Sequence, residues 1–315
     1  MILTVTANTT IDQTLFVPSF ERDLTIRATS TMISMGGKPT DASYILGEMG
    51  IHSHAIGFAA GALGEKAAAI LRSKGATTEF VQAGGETRLN TVIVYESFAG
   101  DDKHGQTTIT TNTLEVNDTH VEELSRLYES LLDRTTAIVI GGTLPQGMEA
   151  AFYTDFIGRA VARNIPVIFD CDEPNLRAGL SARPTYIKPN HHELGRLVGF
   201  SINTVQEAYS AGRYIVNTFG TIPVITLAEQ GGLAVLPDKA YFIPPLPINV
   251  VSAGGAGDGV LAGLAAAAHR RQPIEEGLRL GFACAAAVCL MPGTADCRRE
   301  DVERFIAQVE LRAYP

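Results

Sequence analysis

The sequence predicts an α/β fold: a mainly parallel central sheet with helices on both of its faces. Three observations lead there. Short β-rich runs alternate with helical patterns along nearly the whole chain. The runs are apolar on both faces, as strands covered from both sides must be. The helical segments between them carry their own stop signals, in particular glycines just past their last apolar residue.

Core strands read as Ile2 to Ala7, Ser53 to Phe58, Ala137 to Ile140, Pro166 to Asp170, Tyr186 to Ile187, Ile222 to Leu227 and Ile248 to Val251. Helices read from Pro39 to Met49 with Gly50 beyond, from Gly61 to Lys74 with Gly75 beyond, and over Asp118 to Asp133 and Glu149 to Arg163. Two stretches break the alternation. Thr14 to Met35 and Arg88 to Thr113 look like strand ribbons, the second folding at Gly100-Asp101-Asp102-Lys103-His104-Gly105 between Thr91 to Tyr95 and Gln106 to Thr111. Inserted between core elements, at about 14–35 and 88–113, they are expected to form a small β lid or clasp within one domain spanning 1–315.

The 315 residues are 45% hydrophobic and 19% charged, with 34 acidic against 25 basic side chains and a formal charge of −9. A chain of this size buries about three-quarters of its unfolded surface, so the core is not limiting. No apolar run approaches the ~20 residues that span a bilayer, and Met1 to Asp12 does not read as a signal peptide. A cytoplasmic protein without a membrane partner is expected. Cys171, Cys284, Cys289 and Cys297 form no CxxC pair and sit mostly among apolar residues, which suits reduced packing thiols. No cluster of Lys and Arg offers a nucleic-acid surface. An anionic ligand would have to be held by local groups that the net charge hides.

The most informative segment is Asn249-Val250-Val251-Ser252-Ala253-Gly254-Gly255-Ala256-Gly257-Asp258-Gly259, read as a strand leading through a glycine-rich turn into a helix that runs to about Arg270. Glycines let the backbone approach an anion, and the helix end adds partial positive charge. Asp258 in the first turn is either a favourable acid worth ~0.3–1 kcal/mol or a working carboxylate. Gly257-x-Gly259-x-x-Ala262 fits a dinucleotide fingerprint, but too little chain follows for that fold, and no GxxxxGK[ST] occurs. In Lys188-Pro189-Asn190-His191-His192-Glu193, Asn190 and Glu193 have the spacing of a capping box. They also suit a hydrated Mg²⁺, whereas the adjacent His191 and His192 point apart and make a poor metal pair. The loops Met35 to Asp41 and Gly141 to Gly147 are expected at the carboxyl edge of the sheet, where ligands of such folds bind.

Taken together, these segments resemble the PfkB, or ribokinase-like, family of carbohydrate kinases. The likeness spans nearly the whole chain, through Asn8-Thr9-Thr10-Ile11-Asp12, Gly36-Gly37-Lys38, Glu86-Thr87-Arg88-Leu89-Asn90, Gly142 to Gly147, Asn190-x-x-Glu193, Thr226 to Gly231 and Gly255-Ala256-Gly257-Asp258. The opening and the Glu86 segment look most like the 1-phosphofructokinase and tagatose-6-phosphate kinase branch. The resemblance implies a three-layer ribokinase-like fold and transfer of the ATP γ-phosphoryl group to a sugar or sugar-phosphate hydroxyl. It implies Asp258 as the base and Gly255, Ala256 and Gly257 as an anion hole, with Asn190 and Glu193 organising Mg²⁺ through water. It places Asp12, Gly36, Gly37 and Asp41 at the sugar and Lys38 and Arg88 at a substrate phosphate. Lys188, Asn190, Thr226, Ala228, Gly231, Gly254 and Gly257 would border the nucleotide.

Several positions depart from the family pattern. Pro39 and Asp41 replace a Gly and an Asn of the usual Gly-Gly-Lys-Gly-x-Asn loop, and Asp41 is expected to repel a phosphate placed near it. Ser252 and Ala253 stand for the usual Asn or Asp followed by Thr, Gly141 for a Ser, and Ala228 for a nucleotide-site Gly. These changes keep open a kinase-fold binding protein with weak or lost turnover. Exposed lid edges point to a homodimer.

Overall fold

In the computed structural model, residues 1–98 and 105–315 are described, so most of the expected Gly100 to Gly105 turn lies outside the described residues. The chain opens with β1 (Ile2–Thr6), β2 (Thr10–Phe20) and β3 (Ser30–Gly36), then α1 (Lys38–Glu48), β4 (Ser53–Ala59), α2 (Gly61–Ser73) and β5 (Thr77–Gln82). After the short β6 (Gly84–Gly85) come β7 (Arg88–Phe98), β8 (Gly105–Ile109) and β9 (Leu114–Glu115). The alternating part continues with α3 (Asp118–Leu132), β10 (Ala137–Gly141), α4 (Ala151–Val161), β11 (Val167–Asp170), α5 (Asn175–Ser181) and β12 (Tyr186–Ile187). It closes with α6 (His191–Val198), α7 (Val205–Phe219), β13 (Ile222–Thr226), β14 (Gly232–Val235), β15 (Ala240–Ile243), α8 (Ala256–His269), α9 (Ile274–Cys289), α10 (Arg299–Ile306) and β16 (Arg312–Tyr314).

Among the described residues the main sheet has ten strands, in the order β16-β15-β14-β13-β12-β11-β10-β1-β4-β5. It is parallel from β5 to β13 and antiparallel beyond. Side-chain alternation shows why both faces had to be apolar. Leu3, Val5, Ile138, Ile140, Val167 and Phe169 enter one cluster, whereas Ile2, Val139 and Ile168 enter the other. Helices α3 to α7 cover the first face; α1, α8, α9 and α10 cover the second. The result is the three-layer ribokinase-like arrangement.

The two inserted stretches join into a single four-stranded sheet, β3-β2-β7-β8. Its middle pair, β2 with β7, is parallel, so the two ribbons are tied together by contacts between residues nearly 80 positions apart, such as Asp12 opposite Asn90. The lid begins at Thr10, earlier than expected, and thereby carries Asp12.

One expected strand is absent. Ile248 to Val251 pairs with no strand, and Val250 and Val251 are exposed. Pro244, Pro245 and Pro247 remove the N–H groups that a ladder needs on the approach, and the Val251 N–H bonds to the Cys289 carbonyl at 2.8 Å instead. The glycine-rich turn is therefore anchored to the end of α9 and not to the sheet.

Helix α8 packs against α9 at unusually close range, because a Cβ on Gly263 would stand 2.2 Å from the Gly281 nitrogen. Gly263→Val is expected to cost about 2–3 kcal/mol by overpacking, read as a lower urea midpoint at unchanged slope. An unmoved midpoint would show that the two helices separate freely.

Candidate active site

Five ionisable side chains, Asp170, Lys38, Lys188, Glu193 and Asp258, gather where α1, α6, α8 and the ends of β11 and β12 converge. Asp170, the last residue of β11, is 1% exposed. Lys38, the first residue of α1, places Nζ 2.6 Å from Asp170 Oδ1 and 3.3 Å from Glu193 Oε1. Lys188, just past β12, brings its Nζ 2.8 Å from Asp170 Oδ2. Burial alone would raise Asp170; the charges of Lys188 and Lys38 outweigh it and hold the carboxyl below its ordinary value.

Asp258 lies in the first turn of α8 and is buried. Burial first, then the nearby Asp170 charge, pushes it up to about 7, against the opposing pull of Lys188, Lys38 and a hydrogen bond with Asp41. The helix is capped by Gly255, whose left-handed φ of 78° is open to glycine at little cost. Gly257 leaves room for Lys188, since a Cβ there would stand 2.9 Å from Lys188 Nζ and push that ammonium aside. The Ala256 N–H turns back to the Ala253 carbonyl at 3.3 Å, while the Gly255 and Gly257 N–H groups meet no protein acceptor among the described residues. Gly254 spends its N–H on the Ser252 hydroxyl at 3.2 Å.

Asp41, in the first turn of α1, is fully buried beside Asp258. Burial and the charges of Asp258 and Asp12 raise it well above the usual carboxylate range. Asp12 projects from β2 and accepts a hydrogen bond from Asn90 Nδ2 at 3.0 Å. Burial raises Asp12 too, offset in part by Thr294, Asn90 and Arg88. Gly36 lies directly beneath it: a Cβ there would fall 2.4 Å from Asp12 Oδ1. Arg88 donates from Nε to Thr10 Oγ1 at 3.0 Å, on the lid sheet. Lys38 and Arg88, expected together at a substrate phosphate, thus have different neighbours, and Lys38 belongs with Asp170 and Glu193. Gly37, the N-cap of α1, leads into that helix without a side-chain cap.

Asn190 and Glu193 form a full capping box: Asn190 Oδ1 accepts the Glu193 N–H, and Glu193 Oε2 accepts the Asn190 N–H, each at 2.8 Å. The His191 and His192 rings meet at a tilt of 40°, centroids 3.9 Å apart, and do not point away from each other as expected. Thr226 takes its N–H to the Pro189 carbonyl at 3.1 Å, which puts the two segments expected at the nucleotide next to each other. Ala228 has a φ of 52°, the left-handed backbone that a glycine would adopt more cheaply. The Leu227 N–H closes on the Gly231 carbonyl at 2.8 Å.

Sequence reasoning gave no site role to Asp170, Asn90, Asn8 or Thr143, although Asn8, Asn90 and Thr143 lie in segments that carry the resemblance. Asp170 is a lone acid ending an apolar strand at the carboxyl edge, which was signal enough. Asn8 donates to the Thr143 hydroxyl at 3.3 Å and so joins the opening loop to the Gly141 to Gly147 loop. Cys171, expected to pack only, also donates to the Gly142 carbonyl at 2.6 Å.

The family described as pfkB family carbohydrate kinase matches residues 3–301. This chain belongs to that family. A Bacillus subtilis protein named 1-phosphofructokinase is 28% identical over 309 residues, 98% of this chain and 97% of its own. A Staphylococcus epidermidis tagatose-6-phosphate kinase is 29% identical over 317 residues, 99% of each chain. The crystal structure of Escherichia coli phosphofructokinase-2 in complex with substrates and products superposes with a TM-score of 0.87 at 25% identity, covering 98% of this chain and 99% of that one. The protein is therefore a carbohydrate kinase that uses ATP to phosphorylate a sugar.

In this kinase the Asp170 ion pairs hold three segments together. Asp170→Asn is expected to cost about 3–5 kcal/mol near pH 7, since it strands the buried Lys188 beside a neutral amide and leaves Lys38 with Glu193 alone. The wild-type carboxyl is depressed on folding, so its contribution is present above the unfolded value near ~3.9 and lost as pH falls through the lower folded value. Urea melts of both proteins should converge in that acid window; a constant gap would refute the ion-pair account.

Proposed function

We propose that this kinase phosphorylates a ketohexose phosphate, of the kind its 1-phosphofructokinase and tagatose-6-phosphate kinase relatives are named for. The observation that carries this reading is the division of the site. A base with its lysines sits on the main body, while Asp12, Asn90 and Arg88 face the sugar side from the lid. Burial favours the neutral form of Asp41, which weakens the repulsion expected from its residue type.

Asp258 accepts the proton of the attacking sugar hydroxyl, and a pKa of about 7 is well matched to that task near neutrality. The α8 N-terminus, with the free N–H groups of Gly255 and Gly257, stabilises charge on the transferring phosphoryl group. Ala256 contributes less, since its N–H is already engaged. Lys38 and Lys188 add positive charge beside the same centre. Asp12 accepts sugar hydroxyls above the Gly36 to Gly37 backbone, Asp41 adjoins them, and Arg88 binds the substrate phosphate. Thr226, Ala228, Gly231, Gly254, Lys188 and Asn190 border ATP.

The residues present fit a hydrated Mg²⁺. Asn190 and Glu193 each use only part of their oxygen lone pairs in the capping box, and no cluster among the described residues provides three direct acidic or imidazole ligands. Bound there through water, the ion would neutralise charge on the ATP phosphates. No helix among the described residues is long and apolar enough to cross a membrane, and we place the kinase in the cytoplasm. The lid edges β3 and β8, with exposed Ile33 and Ile109, are our proposed homodimer contact.

Asp258→Asn is expected to lower kcat by about 10²–10⁴-fold, with wild-type kcat/KM falling tenfold per unit as pH drops below about 7. ADP release with Mg-ATP across fructose and tagatose phosphates and free sugars is the assay. No sugar-dependent ADP from any acceptor would refute the substrate reading, and full turnover in Asp258→Asn would remove the base assignment. Arg88→Ala should raise KM for phosphosugars by roughly 10- to 100-fold, the loss of a charge-assisted hydrogen bond, and leave KM for free sugars nearly unchanged. Equal effects on both would show that Arg88 touches no phosphate.

A further inference from the structure

The first turns of α1 and α8 bring two carboxyls into contact, Asp41 with Asp258. Asp41 is 2% exposed, and its Oδ1 is buried with no hydrogen-bond donor among the described residues. The Asp258 carboxyl lies within hydrogen-bonding reach of Asp41, and two carboxyl groups can share such a bond only through a proton held between them. Two carboxylates in contact in a dry site do not both ionise.

Charges facing the pair decide where the proton resides. Asp258 looks toward Lys38 and Lys188 as well as Asp170, and Lys38 is shared with Glu193. Asp41 looks toward Asp258 and Asp12, two acids, and the nearby Arg88 acts on Asp12. Ionised Asp258 has two lysines to stabilise it; ionised Asp41 has none acting on it. The direction of the Asp41 shift, upward through burial and then those two acids, agrees.

We propose that Asp41 is a positioning residue of this kinase: it carries the single proton of the pair and donates it in a hydrogen bond to Asp258, keeping the base ionised and aimed. The inference rests on the reading of Asp258 as the base. In the reaction the sugar oxygen forms its bond to the γ-phosphorus as the bond to ADP breaks, and the hydroxyl proton passes to Asp258. The pair then holds two protons until one returns to solvent. An Asn here, as in the family's usual loop, would offer an N–H that never ionises; Asp41 makes the aim of the base depend on pH. A neutral Asp41 also leaves the sugar pocket free of one negative charge.

The test combines a spectroscopic and a kinetic measurement on wild type, Asp41→Asn and Asp41→Ala. Infrared difference spectra of wild type minus Asp41→Asn near neutral pH should show the carbonyl band of a protonated carboxylic acid. Asp41→Ala, which lacks a donor, should move the acid limb of kcat/KM upward by about one to two pH units, while Asp41→Asn leaves that limb in place. Absence of the protonated-carboxyl band overturns the proposal. So does an unmoved acid limb in Asp41→Ala with only kcat or stability reduced, the signature of a merely structural residue. The band is read without turnover, so a protein inactive on every sugar tried would refute the substrate reading and still decide this one.

Discussion

Asp170 ends β11 almost wholly out of water and is bracketed by Lys38 and Lys188, which arrive from distant parts of the chain. Desolvating a carboxylate costs several kcal/mol unless partners replace the lost water. Two ammonium groups do so here, and in the process they fix the start of α1 and the segment after β12 at one place. The remaining site geometry follows. Lys188 passes close over the first turn of α8 at Gly257; Lys38 reaches on to Glu193 and so meets the capping box. Asp258, close to this concentration of charge, inherits its raised proton affinity partly from Asp170.

The centre is thus a field of compensating charges in which each carboxyl has a different answer to burial. The lysines hold Asp170 below its ordinary value, burial and Asp170 raise Asp258 against the pull of those same lysines, and burial with the charges of Asp258 and Asp12 raises Asp41. One chemical group thus answers burial in different ways within a few residues' reach, set by neighbours and not by residue type.

Much of this was legible from residues alone. Strands apolar on both faces announced a covered parallel sheet, and Leu3, Ile138 and Phe169 against Ile2, Val139 and Ile168 show the alternation beneath that pattern. The glycine-rich turn with Asp258 stood out because few other roles suit so many glycines at a helix start. What stayed hidden was non-local. The parallel pairing of β2 with β7 joins segments far apart in sequence and leaves no local mark. Ile248 to Val251 has strand-like residues, but three prolines upstream and a carbonyl at the end of α9 decide its path. Lys38 beside Gly37 was read only as a candidate for a phosphate, and its contacts with Asp170 and Glu193 stayed hidden because those residues lie more than 130 positions away. The reading of Asp41 as a repelling charge rested on its residue type alone; the burial and neighbouring acids that raise its proton affinity come from β2 and α8 and leave no local mark.

The lid sheet carries Asp12, Asn90 and Arg88, whereas Asp258 and both lysines belong to the main body. In the proposed reading, recognition of the acceptor falls mostly to the lid and transfer of the phosphoryl group to the body, with Asp41 of α1 at the seam between them. Substitutions along β2 and β7 would then retune which sugar is taken while the charge balance around Asp170 stays in place. Such a layout lets a lineage change its diet while inheriting its chemistry intact.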